Sequence, residues 1–116
     1  MNPPSLEGIW QPLYAELGGE EAPKEVLERM EVELAAGKYA VRFGGEVADH
    51  GTFTVDLAGL TLVGVEGPNA GRTIPCIFKF TDDLLSICYG LGGTRPAKYR
   101  TGNDPQLYLV NYTRKQ

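Results

Sequence analysis

The hydrophobic period of this chain changes near residue 31, and that change fixes what it can fold into. From Glu31 onward apolar side chains recur at every second position. Val32 and Leu34 alternate with Glu31 and Glu33, and Tyr39, Val41 and Phe43 alternate with Ala40 and Arg42. Period two sends successive side chains to opposite faces, so each segment reads as a strand with one apolar and one wet face. Gly37 between them makes a hairpin. TFTVDL repeats the alternation through Phe53, Val55 and Leu57, and LTLVGVE follows across Ala58-Gly59. A turn-rich stretch, EGPNAGRTIP, leads into CIFKFT, which a two-residue Asp82-Asp83 turn joins to LLSICYG; LYLVNYTR, residues 107–114, comes last.

Ahead of the period change, GIWQPLYAEL is rich in β-formers, with Pro12 marking an edge or a bulge. PKEVLERM then reads as one short helix. Pro23 stands at its start, Val26, Leu27 and Met30 share a face, and Glu25 and Arg29 have i, i+4 spacing. Two turns are marginal alone, so that face must dock. The sum is an all-β chain of about eight short strands with a helix between the first two. Short connections make neighbours antiparallel, and eight such strands close into an up-and-down barrel without exposed edges. A sandwich is the competing architecture, and the consecutive hairpins favour the barrel.

At 116 residues the chain is one domain, spanning 1–116, with a single core. No apolar run approaches the roughly 18 residues of a membrane helix, so no membrane span is expected. MNPPSLEGIW has neither a basic nor an apolar leader region, which makes the cytoplasm the expected location, although a chain trimmed of its leader would read the same way. Charge is uneven: eleven acidic and four basic residues lie before Gly59, four acidic and seven basic after Ala58. The pI of about 4.9 is opposite to the basic footprint that nucleic-acid binding requires.

Catalytic chemistry finds few candidates. His50 is the sole histidine and sits in ADHGT, which reads as a turn; no further His or Cys stands at metal-ligand spacing, so no metal site is expected. Haem held by one histidine is the single cofactor reading that His50 permits, and no cofactor is expected. Glu31/Glu33 and Asp82/Asp83 read as a wet strand face and a turn. Pairing CIFKFT with LLSICYG sets Phe80 opposite Leu85, Phe78 opposite Ile87 and Cys76 opposite Tyr89, with Cys88 facing the other way. A one-residue slip would bring the cysteines together but turn Leu85 and Ile87 outward, so two free thiols are expected. In GLGGTRPAKYR the glycines resemble a phosphate loop, but Pro96 and the TGND turn leave no helix to follow. The run reads instead as a connection at one end of the barrel. Arg95 either pairs with a barrel carboxylate or carbonyl, or receives the acidic head of a ligand.

Four motifs occur in order: Leu6-x-Gly8-x-Trp10, Gly67-Pro68-Asn69-x-Gly71, Leu85-x-Ile87-Cys88, and Arg95-Pro96 followed by Tyr99. Together they resemble a family of uncharacterised bacterial lipocalin-like domains, over most of the chain. Cys76-Ile77-Phe78 departs from the small-Ile-Tyr more usual there, and Tyr99 stands where Phe is commoner. The resemblance implies a lipocalin-like barrel in which Gly8 lets the first strand cross the floor closely. It also implies that Trp10 plugs that end, with Arg114 from the last strand packed over it as a cation–π pair. The family carries no established activity.

Two functional classes follow. The first is a non-enzymatic binding module holding a small lipophilic or amphipathic ligand, with Tyr39, Phe43, Phe53, Phe78, Phe80 and Tyr89 lining the interior and Arg95 near the mouth. The second is a barrel filled by its own side chains, acting as a protein-interaction or accessory module. Eight strands enclose a space compatible with either, and closure makes a monomer the expected state.

Overall fold

The computed structural model describes residues 5–115. Its elements run β1 (Gly8–Leu17), β2 (Glu20–Glu21), α1 (Lys24–Arg29), β3 (Met30–Ala35), β4 (Lys38–Phe43), β5 (Glu46–Asp56), β6 (Gly59–Glu66), β7 (Thr73–Thr81), β8 (Leu84–Gly90) and β9 (Leu107–Arg114). From β3 to β9 each strand pairs antiparallel with the next, and β1 pairs with both β3 and β9. The eight longer strands thereby close into an antiparallel barrel. β2 adds only two exposed glutamates to the end of β1, a short charged edge that resists further pairing.

β1 reaches both neighbours because it bends. It pairs with β3 only through Gly8–Trp10, then follows β9 from Trp10 to Leu17, with a register shift between Pro12 and Tyr14. Leu13 is the extra residue of that bulge and is exposed, as the proline in mid-strand foretold. Where β1 leaves β3, α1 fills the opening: Leu27 is buried in the core, and Gln11 Nε2 donates to the Leu27 and Met30 carbonyls at 2.7 and 3.1 Å. Pro23 caps the helix and Arg29 stands over the Phe43 ring at 5.1 Å, not against Glu25.

β7 and β8 pair in the register that hydrophobic matching selects, Cys76 with Tyr89, Phe78 with Ile87 and Phe80 with Leu85. β5 is longer than its alternating segment. His50 lies within it, paired with Ala40 and Glu66, and not in a turn. Two bulges hide this: β5 carries an extra residue at Ala48 against β4, and β6 one at Val65 against β5, so the alternation breaks where the strand continues.

The end bearing Trp10 is solid. Trp10 is 1% exposed, packs on Phe80 at 6.1 Å between ring centroids, and donates from Nε1 to the Leu6 carbonyl at 2.8 Å. Arg114, its partner across the β1–β9 ladder, lies over the indole at 4.2 Å. The same guanidinium donates to the carbonyls of Glu7 (2.6 Å) and Ser5 (2.9 Å), so it ties the incoming chain to the last strand. Gly8 has φ +139°, and a Cβ there would collide with Arg114 Nη1. Trp10→Ala is expected to lower unfolding free energy in urea titration by about 3–5 kcal/mol, whereas Arg114→Ala should cost about 0.5–2 kcal/mol. A loss at Trp10 no larger than at Arg114 would remove the plug role.

Candidate functional site

The half of the barrel away from Trp10 is hollow. A cavity of about 360 Å³ extends from Leu60, Ile87 and Tyr112 up to a mouth framed by Met30, Phe43, Ala48, Pro68 and Leu91. Its lower wall is aliphatic, contributed by Val32, Leu34, Val41, Leu62 and Ile74. Two polar side chains buried in its wall satisfy one another. Tyr89 and Tyr112 hydroxyls stand 2.6 Å apart, and burial pushes both phenols above the ordinary range, so both keep their protons. Tyr108 packs beside Tyr89 with ring centroids 5.4 Å apart.

The mouth is shaped by a loop that folds inward. After β6, the segment Gly67–Gly71 turns back onto Gly64. The Gly64 N–H donates to the Arg72 carbonyl at 3.0 Å, and the Gly71 N–H donates to the Gly64 carbonyl at 2.9 Å. Any Cβ on Gly64 would overlap the Asn69 carbonyl, so the loop occupies the place a side chain would take. This seating brings Asn69 into the cavity wall, where its Nδ2 donates to Asp49 Oδ2 at 2.8 Å. Tyr39 OH approaches the same oxygen at 3.4 Å. Burial, then the charge of Asp49, pushes the Tyr39 phenol up to about 12, keeping it a donor at neutral pH. Asp49 itself is 7% exposed and follows the Ala48 bulge, which sets two consecutive residues against the cavity.

Of the interior residues expected from sequence, Tyr39, Phe43 and Tyr89 line the cavity, with Phe43 half-exposed at its rim. Phe53, Phe78 and Phe80 pack against the core without lining it. Phe78 and Phe80 meet edge to face at 6.3 Å and fill the Trp10 end. Arg95 is elsewhere. The loop after β8 doubles back at Gly90, where a Cβ would strike the Thr94 carbonyl, and runs along the outer wall instead of over the mouth. Arg95 Nη1 donates to the carbonyls of Leu60 (3.0 Å) and Cys76 (2.7 Å), and Nη2 to Thr61 Oγ1 at 3.0 Å. The β6–β7 ladder ends at the pair Leu60–Cys76, and the guanidinium satisfies the carbonyls there. Further along, Tyr99 receives Lys79 over its ring at 4.4 Å, and Thr101 Oγ1 accepts from the Gly19 N–H at 2.8 Å. Beneath this loop Cys88 is buried on the outward side of β8, outside the barrel core.

Both cysteines are free, and burial pushes the Cys76 thiol up to about 12 and raises that of Cys88. Burial thus works against the thiolate that nucleophilic chemistry needs. His50 lies 3.7 Å from Glu66 on the partly exposed side of β5. Glu31 and Glu33 both pair with Arg42, and Glu31 also with Lys115 at 2.7 Å. These contacts hold an outer strand face together and lie outside the barrel cavity. No family model, curated protein or solved structure matches the chain.

Sequence reasoning passed over Asp49, Asn69, Tyr108 and Tyr112. The tyrosines were readable, since Tyr108, Val110 and Tyr112 share one parity in LYLVNYTR. Asp49 was not, because the bulge beside it breaks the alternation that would have turned it inward.

Two outcomes are expected. At pH 8 the folded protein should resist alkylation, while denaturation without reductant should expose two thiols by intact mass; one modified thiol in the native state would contradict the burial of both. Arg95→Ala should cost about 1.5–3 kcal/mol and speed amide exchange across residues 91–106, leaving the resonances of Tyr39, Asp49 and Asn69 in place.

Proposed function

We propose that the protein is a non-enzymatic binding module that takes one small lipophilic or amphipathic molecule into its barrel. The observation that carries this reading is the asymmetry of filling. Trp10, Phe78 and Phe80 pack one end solid, while the other end keeps an apolar cavity of about 360 Å³ with a mouth. Small-molecule sites span about 300–1,000 Å³, and this one falls at the small end. A protein that used only its outer surface would have no need of a hollow half, since an eight-stranded barrel can be filled by its own side chains. The barrel works as a monomer, because closure leaves β2 as its one short edge.

A second reading has an observation of its own. Val47, Val63 and Val65 are half-exposed outside the barrel, and Leu57 is fully exposed at the β5–β6 turn. Such residues suit a module that engages a protein partner.

Native mass spectrometry on protein purified from its own cells separates the two. An adduct lost on denaturation, on a particle of monomer mass, is expected for ligand binding and gives the ligand's mass. A bare monomer that also binds no six-carbon apolar probe would move the assignment to the outer surface.

A further inference from the structure

The polar side of the cavity is acidic, and this specifies the ligand further. The inference rests on the binding reading above and concerns the head group of the molecule bound. As a carboxylate, Asp49 offers only acceptor sites, about four in all. Two donors reach it, both at Oδ2: Asn69 Nδ2 at 2.8 Å and the Tyr39 hydroxyl at 3.4 Å, a distance at which a hydrogen bond is weak. Among the described residues no group donates to Oδ1, although that oxygen is buried. Oδ1 stands against Gly67, where a Cβ would lie 2.8 Å from it, and has almost no accessible surface, so a donor in the cavity reaches it as the carboxylate turns. Leaving a buried acceptor unpaired is unfavourable, and the deficit is larger for a charged group.

Three arginines near this end already have partners. Arg29 covers the Phe43 ring, Arg72 donates to the Leu91 carbonyl and to Asn69 Oδ1, and Arg95 is bound on the outer wall. None of the three lines the cavity. An anionic head would therefore meet a carboxylate with no lining cation to offset it, whereas an O–H or N–H would find an acceptor already desolvated.

The geometry points to a ligand with an apolar body and a hydrogen-bond-donating head, a hydroxyl or an amine, that is received by Asp49, with carboxylate-headed molecules such as fatty acids excluded. Arg95, the residue whose type suggested an acid-binding site, has no part in it.

Four probes of one chain length test this: 1-hexanol, hexylamine, hexanoate, and methyl pentyl ether as the head without a donor. Each is titrated into the intact protein while ¹H–¹⁵N shifts of the amides of Leu62, Asn69 and Tyr89 are followed. Hexanol or hexylamine should bind roughly ten- to a hundredfold more tightly than both hexanoate and the ether, the range of one hydrogen bond to a charged acceptor. In Asp49→Asn, which keeps the side chain's shape, that preference should collapse. The ranking on the unmodified protein stands even if this variant does not fold. Hexanoate binding as well as or better than hexanol and hexylamine would overturn the donor-head assignment and leave cavity binding intact. Equal affinity of the ether and the alcohol would overturn it too. If none of the four shifts a cavity amide, the binding reading fails and this inference fails with it.

Discussion

The pairing of β1 with β9 is the constraint on which everything else rests. A row of antiparallel hairpins from β3 to β9 would on its own be a twisted open sheet with an apolar face uncovered. Joining its two ends turns that face into an interior. The junction runs from Trp10–Arg114 to Leu17–Tyr108 and includes the bulge at Leu13 that lets one strand serve two neighbours. Its lower end is sealed by the indole–guanidinium contact, and its upper end is held by Gly18 donating to the Leu107 carbonyl at 3.1 Å. α1 is a consequence of the same geometry, since a strand that leaves one partner to reach another opens a gap in the wall, and Leu27 fills it.

Filling then decides what the interior offers. Large side chains are concentrated at the Trp10 end. Toward the mouth the inward positions of β5 and β6 include Gly51 and Gly64, where added side chains would strike the Val63 and Asn69 carbonyls. Backbone approaches backbone at both glycines. The space a pair of larger residues would have used is given partly to the tucked loop and partly to the cavity. The polar groups divide as well: the buried tyrosine pair is self-satisfied, while the carboxylate of Asp49 is not. Low dielectric makes that difference matter more here than it would at the surface.

Much of this was legible in the residues, for physical reasons that differ by element. Alternation identified β3 and β4 because each has one wet face, β-rich runs between turn signals marked β6–β9, and hydrophobic matching selected the β7–β8 register because a slip would expose Leu85 and Ile87. Pro12 announced a bulge, and Gly8 with Trp10 announced the sealed end. Alternation failed in β5, where an extra residue at Ala48 interrupts the period and Ala-Asp-His-Gly imitates a turn. Arg95 was misplaced for another reason. Its chemistry suits an anion or a carbonyl equally, and only the path of the loop, set by the close contact at Gly90, decides between mouth and outer wall. Phe78 and Phe80 show the limit of parity: it says that a side chain points inward, and not whether it fills the barrel or lines a space.

The seam also governs when the fold can exist. Arg114 and the Glu7 carbonyl it binds are 107 positions apart, so the strands that seal the barrel are among the last to find each other. Long loop closure of this kind slows folding relative to local hairpins. On a ribosome β1 emerges well before β9, its main partner, which follows the whole meander. Until then the meander can pair strand by strand, but its apolar face stays open to water and to other chains, and the cavity does not yet have walls.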